Sequence, residues 1–431
     1  MAFESGTGGP TLERDPREAR SMSPPPIHRR WKQALFHSAF FRAPHPDAPE
    51  VVRRFRLLAR DAFAWLVGDE VSTPARRLRA VAPLIASVRA AALAATRGGA
   101  AAALGVSRLE QFRSMRRLES FGVRPTDYHR FALHQIPISE RPYAVSYMEG
   151  TAVQKYLHRD ADRLAVDDKL RLATTLRTAG LRAVGSIAVV APQTEVESIA
   201  EALPDADLFV KRRDLGWGVG AMRFLRMRDR DAWCDGRGIE FDRRSLAAAL
   251  ITESERGEFL IQRRLATGGS VAQLAPDSLA TLRIVTLRPR ADAPPALLDA
   301  VLRMPARAGA ITDNFAGGGV AAPILDAEGL LGSGCTNAMQ GTRLPTHPLT
   351  KARIEGHRIT EFGAAVRLAL AAHAIFPDIL SVGWDVAILD DGPTIVEGNI
   401  AWCPELMQQV HQRMLLRTPY GEACASAVTS V

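Results

Sequence analysis

G-W-D-V-A-I-L-D-D-G-P-T-I-V-E-G-N, running from Gly383 to Asn399, holds two short apolar runs around a turn rich in Asp and Gly. That pattern predicts a β-hairpin. With the turn centred on Asp391, Asp385 lies opposite Glu397, and opposed side chains are about 5 Å apart on one face of a sheet. Side chains alternate along a strand, so Glu397 and Asn399 share that face. Three oxygen-bearing side chains thus converge from strands whose Val386, Ile388, Ile395 and Val396 read as buried. Adjacent buried carboxylates are unstable without compensation. A divalent cation supplies it, and Mg²⁺ takes such oxygen ligands together with substrate phosphates. The alternative at this point is a pair of solvated acids on an edge hairpin.

Upstream, F-V-K-R-R-D-L-G-W-G-V-G-A-M-R-F begins at Phe209. Gly216, Gly218 and Gly220 suggest a dinucleotide-binding turn, but that turn needs a helix directly after the glycines. Residues 221–227 alternate as a strand does, and no G-x-x-x-x-G-K-[ST] occurs. Strand, glycine turn and strand make a hairpin flap. Its backbone N–H groups can lie over phosphates, because glycine permits close approach. Lys211, ending the first strand, is then a point charge for phosphate. A surface hairpin with a basic end reads equally well from this stretch alone.

The 431 residues exceed what one core usually holds, so two domains or one with an extension are expected. With 47% hydrophobic and 24% charged residues, the composition is globular and excludes a disordered chain. The formal net charge of +8 fits anionic partners such as nucleotides, or simply the arginine usage of a GC-rich genome. No nucleic-acid partner is expected. Cys234, Cys335, Cys403 and Cys424 form no C-x-x-C pair, so no zinc site or disulfide framework is read, and a cytoplasmic location is expected. The polar, Pro-rich N-terminus has no apolar signal core. No stretch approaches the roughly 18 apolar residues that span a bilayer; Pro83 and Arg89 interrupt residues 80–95.

Val51, Phe55, Leu58, Ala62, Trp65 and Leu66 recur at helical spacing, residues 108–121 repeat the pattern, and residues 75–95 are helix-prone. Their basic faces are either solvated or suited to peripheral membrane contact. Helices are then expected over 169–179 and 359–374, with strands over 186–190, 208–211, 259–262, 282–287 and 321–325. This mixture predicts an α+β fold. The expected organisation is a mobile tail over 1–48, a helical region over 49–135, the α+β region over 136–415 and a C-terminal tail over 416–431.

Four ordered blocks resemble the ATP-grasp superfamily, specifically its sugar-transfer-associated branch. They are D-D-K-L-R-L-A-T-T-L-R-T-A-G from Asp167 and L-F-V-K from Leu208 with the glycine flap. P-D-S-L-A-T-L-R-I-V-T from Pro276 follows, with D-N-F-A-G-G-G-V from Asp313. The last is V-G-W-D-V-A-I from Val382 with I-V-E-G-N from Ile395. The resemblance implies two α+β lobes clamping ATP, behind a helical N-terminal region. It implies that Lys169 and Lys211 contact nucleotide phosphates under a flap bearing Gly218 and Gly220. E-F-L-I-Q-R-R-L from Glu258 is then the hinge strand against which adenine packs, with Gln262 at the family's acidic hinge position. Asp385, Glu397 and Asn399 are implied as Mg²⁺ ligands, and Arg283 as a basic residue near the transferred phosphoryl group. Asn314 and Gly317–Gly319 are implied to form a loop near the acceptor. Trp217, inside the flap, departs from the family's small residues there.

The implied activity is ATP- and Mg²⁺-dependent activation of a small-molecule acceptor. A carboxylate becomes an acyl phosphate, which an amine or other nucleophile attacks. A kinase passing the γ-phosphoryl group to a hydroxyl uses the same residues. A non-catalytic nucleotide-binding partner in polysaccharide assembly retains them. Read without the resemblance, Arg283 also suits an internal ion pair, and Asn314 a turn cap.

Overall fold

A computed structural model describes residues 45–68, 82–103, 105–216, 218–276, 278–290, 292–337 and 343–427. Trp217, residues 1–44 of the expected N-terminal tail and residues 69–81 lie outside the described residues, while Ala48 is buried. Among the described residues six α-helices come first: α1 (Glu50–Val67), α2 (Ala82–Arg97), α3 (Gly99–Ala103), α4 (Arg108–Ser120), α5 (Pro125–Arg130) and α6 (Tyr147–Leu157). Val52, Phe55, Leu58, Ala59, Ala62 and Phe63 are the buried stripe of α1; of the expected positions Phe55, Leu58 and Ala62 lie on it, while Trp65 and Leu66 are exposed. Ser107 with Glu110, and Ser146 with Glu149, form reciprocal capping boxes that start α4 and α6. Arg56 of α1 pairs with Glu149 of α6 at 2.5 Å, both side chains buried.

The chain then passes through α7 (Leu164–Asp167) and α8 (Lys169–Thr178) into the first sheet. Its strands are β1 (Ala188–Val190), β2 (Leu208–Arg212), β3 (Met222–Arg226), β4 (Ala232–Asp235), β5 (Glu240–Asp242) and β6 (Phe259–Arg263). They lie in the order β1-β6-β2-β3-β4-β5, every pair antiparallel. Helices α9 (Val196–Ala202) and α10 (Arg243–Glu253) supply the apolar residues that cover it, among them Ile199, Leu246 and Leu250.

The second sheet contains β7 (Thr281–Leu287), β8 (Ala296–Met304), β9 (Val320–Pro323), β10 (Gly334–Thr336) and β11 (Arg343–Leu344). After α11 (Phe362–Ala374), it is completed by β12 (Ser381–Leu389) and β13 (Gly392–Asn399). The order is β11-β10-β9-β8-β7-β12-β13, again antiparallel throughout. Alternation in T-L-R-I-V-T-L decides its two faces. Leu282 and Ile284 point into a core shared with α11. Val285 and Leu287 point the other way, into a core shared with α1, α2, α4, α5 and α6 and with α12 (Pro404–His411) and α13 (Pro419–Ala427). The N-terminal helices thus cover the sheet face to which Arg283 belongs.

The expected α+β class is observed, with its helical N-terminal region. The expected C-terminal tail over 416–431 is corrected, because residues 419–427 form α13, with Tyr420 and Cys424 fully buried. Its sequence, P-Y-G-E-A-C-A-S-A, is poor in large apolar residues and carries a mid-helix glycine, so periodicity does not reveal it. Gly421 is required there, since a β-carbon would collide with the Leu416 carbonyl oxygen. No helix among the described residues is long and apolar enough to cross a membrane.

A buried polar chain locks α11 to the sheet. Trp384 Nε1 donates to Thr286 Oγ1 at 2.9 Å, that hydroxyl meets His373 Nδ1 at 2.7 Å, and His373 Nε2 meets the Ile379 carbonyl at 2.9 Å. Burial pushes the His373 imidazole down to about 4, against the pull of its bond to Ile379. The folded protein therefore keeps it neutral at pH values where the unfolded chain, with the ordinary value of 6.5, takes a proton. Its contribution is complete above about pH 6.5 and is lost as the pH falls toward 4, by up to about 3 kcal/mol. Urea unfolding at pH 7 and pH 4.5 measures this slope. His373→Gln, which retains hydrogen-bonding groups without the titration, is expected to flatten it.

Candidate active site

A cavity of about 400 Å³ lies between the two sheets. Its floor is one row of side chains running across three strands. Glu397 of β13 pairs with Asp385 of β12, and Asp385 pairs in turn with Arg283 of β7. The hairpin that places the carboxylates differs in one detail from its expected form. Leu389 pairs with Gly392, so the turn is centred between Asp390 and Asp391. A bulge at the Asp385–Val386 step leaves Val396 over and restores Asp385 opposite Glu397.

Asp385 is buried and Glu397 half-buried. Arg283 Nε donates to Asp385 Oδ1 at 2.5 Å and Nη2 to Oδ2 at 3.2 Å, a bidentate pair. Arg303 of β8 adds a contact from Nη2 to Oδ2 at 2.9 Å. Burial alone would raise the Asp385 carboxyl, but the two guanidinium groups hold it well below the usual carboxylate range. Asn399 Nδ2 donates to the Gly383 carbonyl at 3.3 Å and to Glu397 Oε1 at 3.4 Å, so its amide oxygen is the atom that could face a cation. The set is therefore an ionised carboxylate, a second carboxylate opposite it and an amide oxygen. It fits a hard divalent cation in kind.

The facing wall comes from the first sheet. Lys211 is buried at the end of β2. Burial pushes its ammonium down and Lys169 adds to this, while Glu397 and Asp385 pull it back. Lys169 opens α8, where Asp168 caps the helix through bonds from the backbone N–H groups of Leu170 (3.0 Å) and Arg171 (3.1 Å). Arg213, at the root of the flap, donates to the same Asp168 at 2.9 Å, and Lys169 Nζ donates to the Arg213 carbonyl at 3.3 Å. The helix start and the flap root are thus tied together. Gly216 and Gly218 line the cavity; Gly220 belongs to the same turn outside the lining. Gly218 has φ 72° and Gly220 φ 70°, the left-handed region that favours glycine. Gln262 is buried in β6 opposite Phe209, and both line the cavity.

Both alternatives left open by the sequence are realised as contacts. Arg283 does form an internal ion pair, and Asn314 Oδ1 does accept from Ala316 N at 3.1 Å, capping the turn at Phe315. Both residues nonetheless line the cavity. The structure thus gathers Lys169, Lys211, Gly218, Gln262, Arg283, Asn314, Asp385, Glu397 and Asn399 around one space.

Sequence reasoning missed three groups there. Arg303, which is half-buried, and the buried Asp313 and Thr281 form a cluster beside Asp385. The signal was a lone arginine in the apolar run A-V-L-R-M, but residues 296–304 were not expected as a strand, so Arg303 had no face. The cavity also continues past the carboxylates to Arg130 of α5, Tyr147 of α6 and Glu405 and Gln409 of α12. Arg130 Nη1 donates to both Glu405 oxygens at 2.7 Å, and Tyr147 N donates to Glu405 Oε1 at 2.8 Å. The helical region therefore walls one end of the cavity.

A family model described as sugar-transfer associated ATP-grasp matches residues 152–419, well over half of the chain. No curated protein matches. Among solved structures, the chain is similar to the D-cycloserine synthetase DcsG, at 14% identity and a TM-score of 0.34, over 65% of this chain and 78% of that one. It is similar to the D-alanyl-alanine synthetase A of Vibrio cholerae O1 biovar eltor at 10% identity and a TM-score of 0.36, over 62% of this chain and 65% of that one. A third similar structure is the D-alanine–D-alanine ligase of Bacillus anthracis complexed with ATP, at 12% identity and a TM-score of 0.34, over 62% of this chain and 68% of that one.

Proposed function

The chain belongs to the sugar-transfer-associated ATP-grasp family, and on that premise we propose that it is an ATP- and Mg²⁺-dependent ligase that activates a carboxylate acceptor. The observation that carries this reading is the Glu397–Asp385–Arg283 row, with Lys211 reaching the same cavity from the opposite sheet. Adenine packs along the hinge at Gln262, and the phosphates run beneath the glycine flap toward the row. Lys169 and Lys211 bind the phosphate chain. Asp385, Glu397 and Asn399 would hold Mg²⁺, which supplies charge neutralisation at the β- and γ-phosphates.

The acceptor enters at the end walled by Arg130, Tyr147 and Gln409. Its carboxylate oxygen attacks the γ-phosphorus, the bond to the β,γ-bridging oxygen breaks and ADP leaves. Arg283 stabilises charge on the equatorial oxygens during transfer. An amine then attacks the acyl carbon, phosphate departs and the amine loses a proton. Asn314, beside the transfer end, orients the acceptor.

Calorimetric titration with ATP in Mg²⁺ tests the nucleotide site. Lys211→Ala is expected to weaken binding by about 10- to 100-fold, the worth of one charge-assisted phosphate contact; unchanged affinity would remove Lys211 from the site. The chemistry is tested by ADP release with a panel of carboxylates and hydroxylamine. Hydroxamate formation supports the acyl phosphate. A stable phosphorylated acceptor without hydroxamate would make the protein a kinase.

A further inference from the structure

We propose that Arg303 is a second guanidinium ligand for the terminal phosphoryl group of the nucleotide, held in place by Asp313 and Thr281. The proposal rests on the nucleotide site described above. Its starting point is a redundancy: Arg283 already meets both oxygens of Asp385, so neutralising that carboxylate does not require a second arginine. Arg303 is nevertheless aimed at the same place. Its Nη2 stands 2.9 Å from Asp385 Oδ2 and 3.3 Å from Asp313 Oδ1, and donates to Thr281 Oγ1 at 2.6 Å.

The support beneath Arg303 is built independently of Asp385. Thr281 pairs with Arg303 in the β7–β8 register, so its hydroxyl is fixed by the sheet. That hydroxyl donates to Asp313 Oδ2 at 2.5 Å, which closes a triangle of Thr281, Asp313 and Arg303. A guanidinium group with only 11% of its side chain exposed is stable only with such partners. Burial raises the Asp313 carboxyl above its ordinary value and Asp385 adds to this, against the pull of Arg303.

A β-carbon on Gly218 would lie 2.9 Å from Thr312 Cγ2, so the flap meets the loop that carries Asp313. Gly218, Thr312, Arg283 and Arg303 all line the same cavity. A phosphate chain that enters from Lys211 and passes Glu397 ends there, with its last phosphoryl group against the two forks. Arg303 touches substrate in this arrangement; Asp313 and Thr281 are positioning residues that act through it.

Paired titrations with AMP-PNP and ADP, both in Mg²⁺, separate this role from a merely structural one. Arg303→Met is expected to weaken AMP-PNP by about 10- to 100-fold while ADP stays within about 2-fold, and Arg303→Lys to recover part of the loss. Equal weakening of both nucleotides, or of neither, would overturn the proposal. Failure of the wild-type chain to bind either nucleotide would overturn the nucleotide site itself and this inference with it. Should Arg303→Met fail to fold, Thr281→Val decides, since it removes only the hydroxyl that fixes the fork. A narrowed preference for AMP-PNP over ADP supports the proposal, and an unchanged preference overturns it.

Discussion

Replacing Asp385 by alanine is expected to abolish nucleotide turnover and to destabilise the fold by about 3–5 kcal/mol, the usual cost of removing one partner from a buried ion pair. Arg283 is buried, and its guanidinium bonds go to Asp385. Without that carboxylate the charge remains in the core, in a row whose neighbouring position on β8 is Val301. Arg303 fares better, since Asp313 and Thr281 still hold it. The destabilisation should therefore come mainly from Arg283, and the double change Asp385→Ala with Arg283→Met should recover much of it without restoring turnover. Denaturant unfolding and ADP release on the three proteins check both halves. Stability equal to wild type in Asp385→Ala would mean that the bidentate pair is not formed.

What the sequence disclosed, and what it withheld, follows from the range of each interaction. The β12–β13 hairpin is a local object, so its two carboxylates could be set opposite each other from spacing alone, although the turn centre was displaced and a bulge compensates. The flap was legible for the same reason, since β2 and β3 are neighbours in sequence and pair directly. Lys211 and Asp385 lie on different sheets, and only the resemblance to a family joined them. Arg303 was hidden because its role depends on β8 pairing with β7, which nothing in A-V-L-R-M declares. The helical N-terminal region was legible as helices but not as a wall. Arg130 finds Glu405 across nearly the whole α+β region, and no local pattern encodes that pairing. Asn314 was readable in two ways and the fold realises the cap while leaving the residue on the cavity, so proximity there does not by itself select a role.

Glu397→Gln is expected to lower turnover by at least about 10³-fold while leaving stability within about 1 kcal/mol of wild type. The contrast with Asp385 follows from position along one row. Asp385 sits between two guanidinium groups in the core, whereas Glu397 is half-buried at the cavity side, with Asn399 Nδ2 at 3.4 Å as a modest neighbour. Glutamine preserves the shape and an acceptor oxygen, so packing survives. It removes the negative charge that faces Lys211 and would help hold a divalent cation. Calorimetry with Mg²⁺ and AMP-PNP should show weakened binding, and manganese titration followed by electron paramagnetic resonance should show the metal affinity falling with it. A Glu397→Gln protein that unfolds at the wild-type denaturant midpoint yet binds neither ligand well would isolate the electrostatic role of this carboxylate from any part in the core. Full turnover in that protein would move the cation away from β13 and leave Asp385 as half of a structural ion pair.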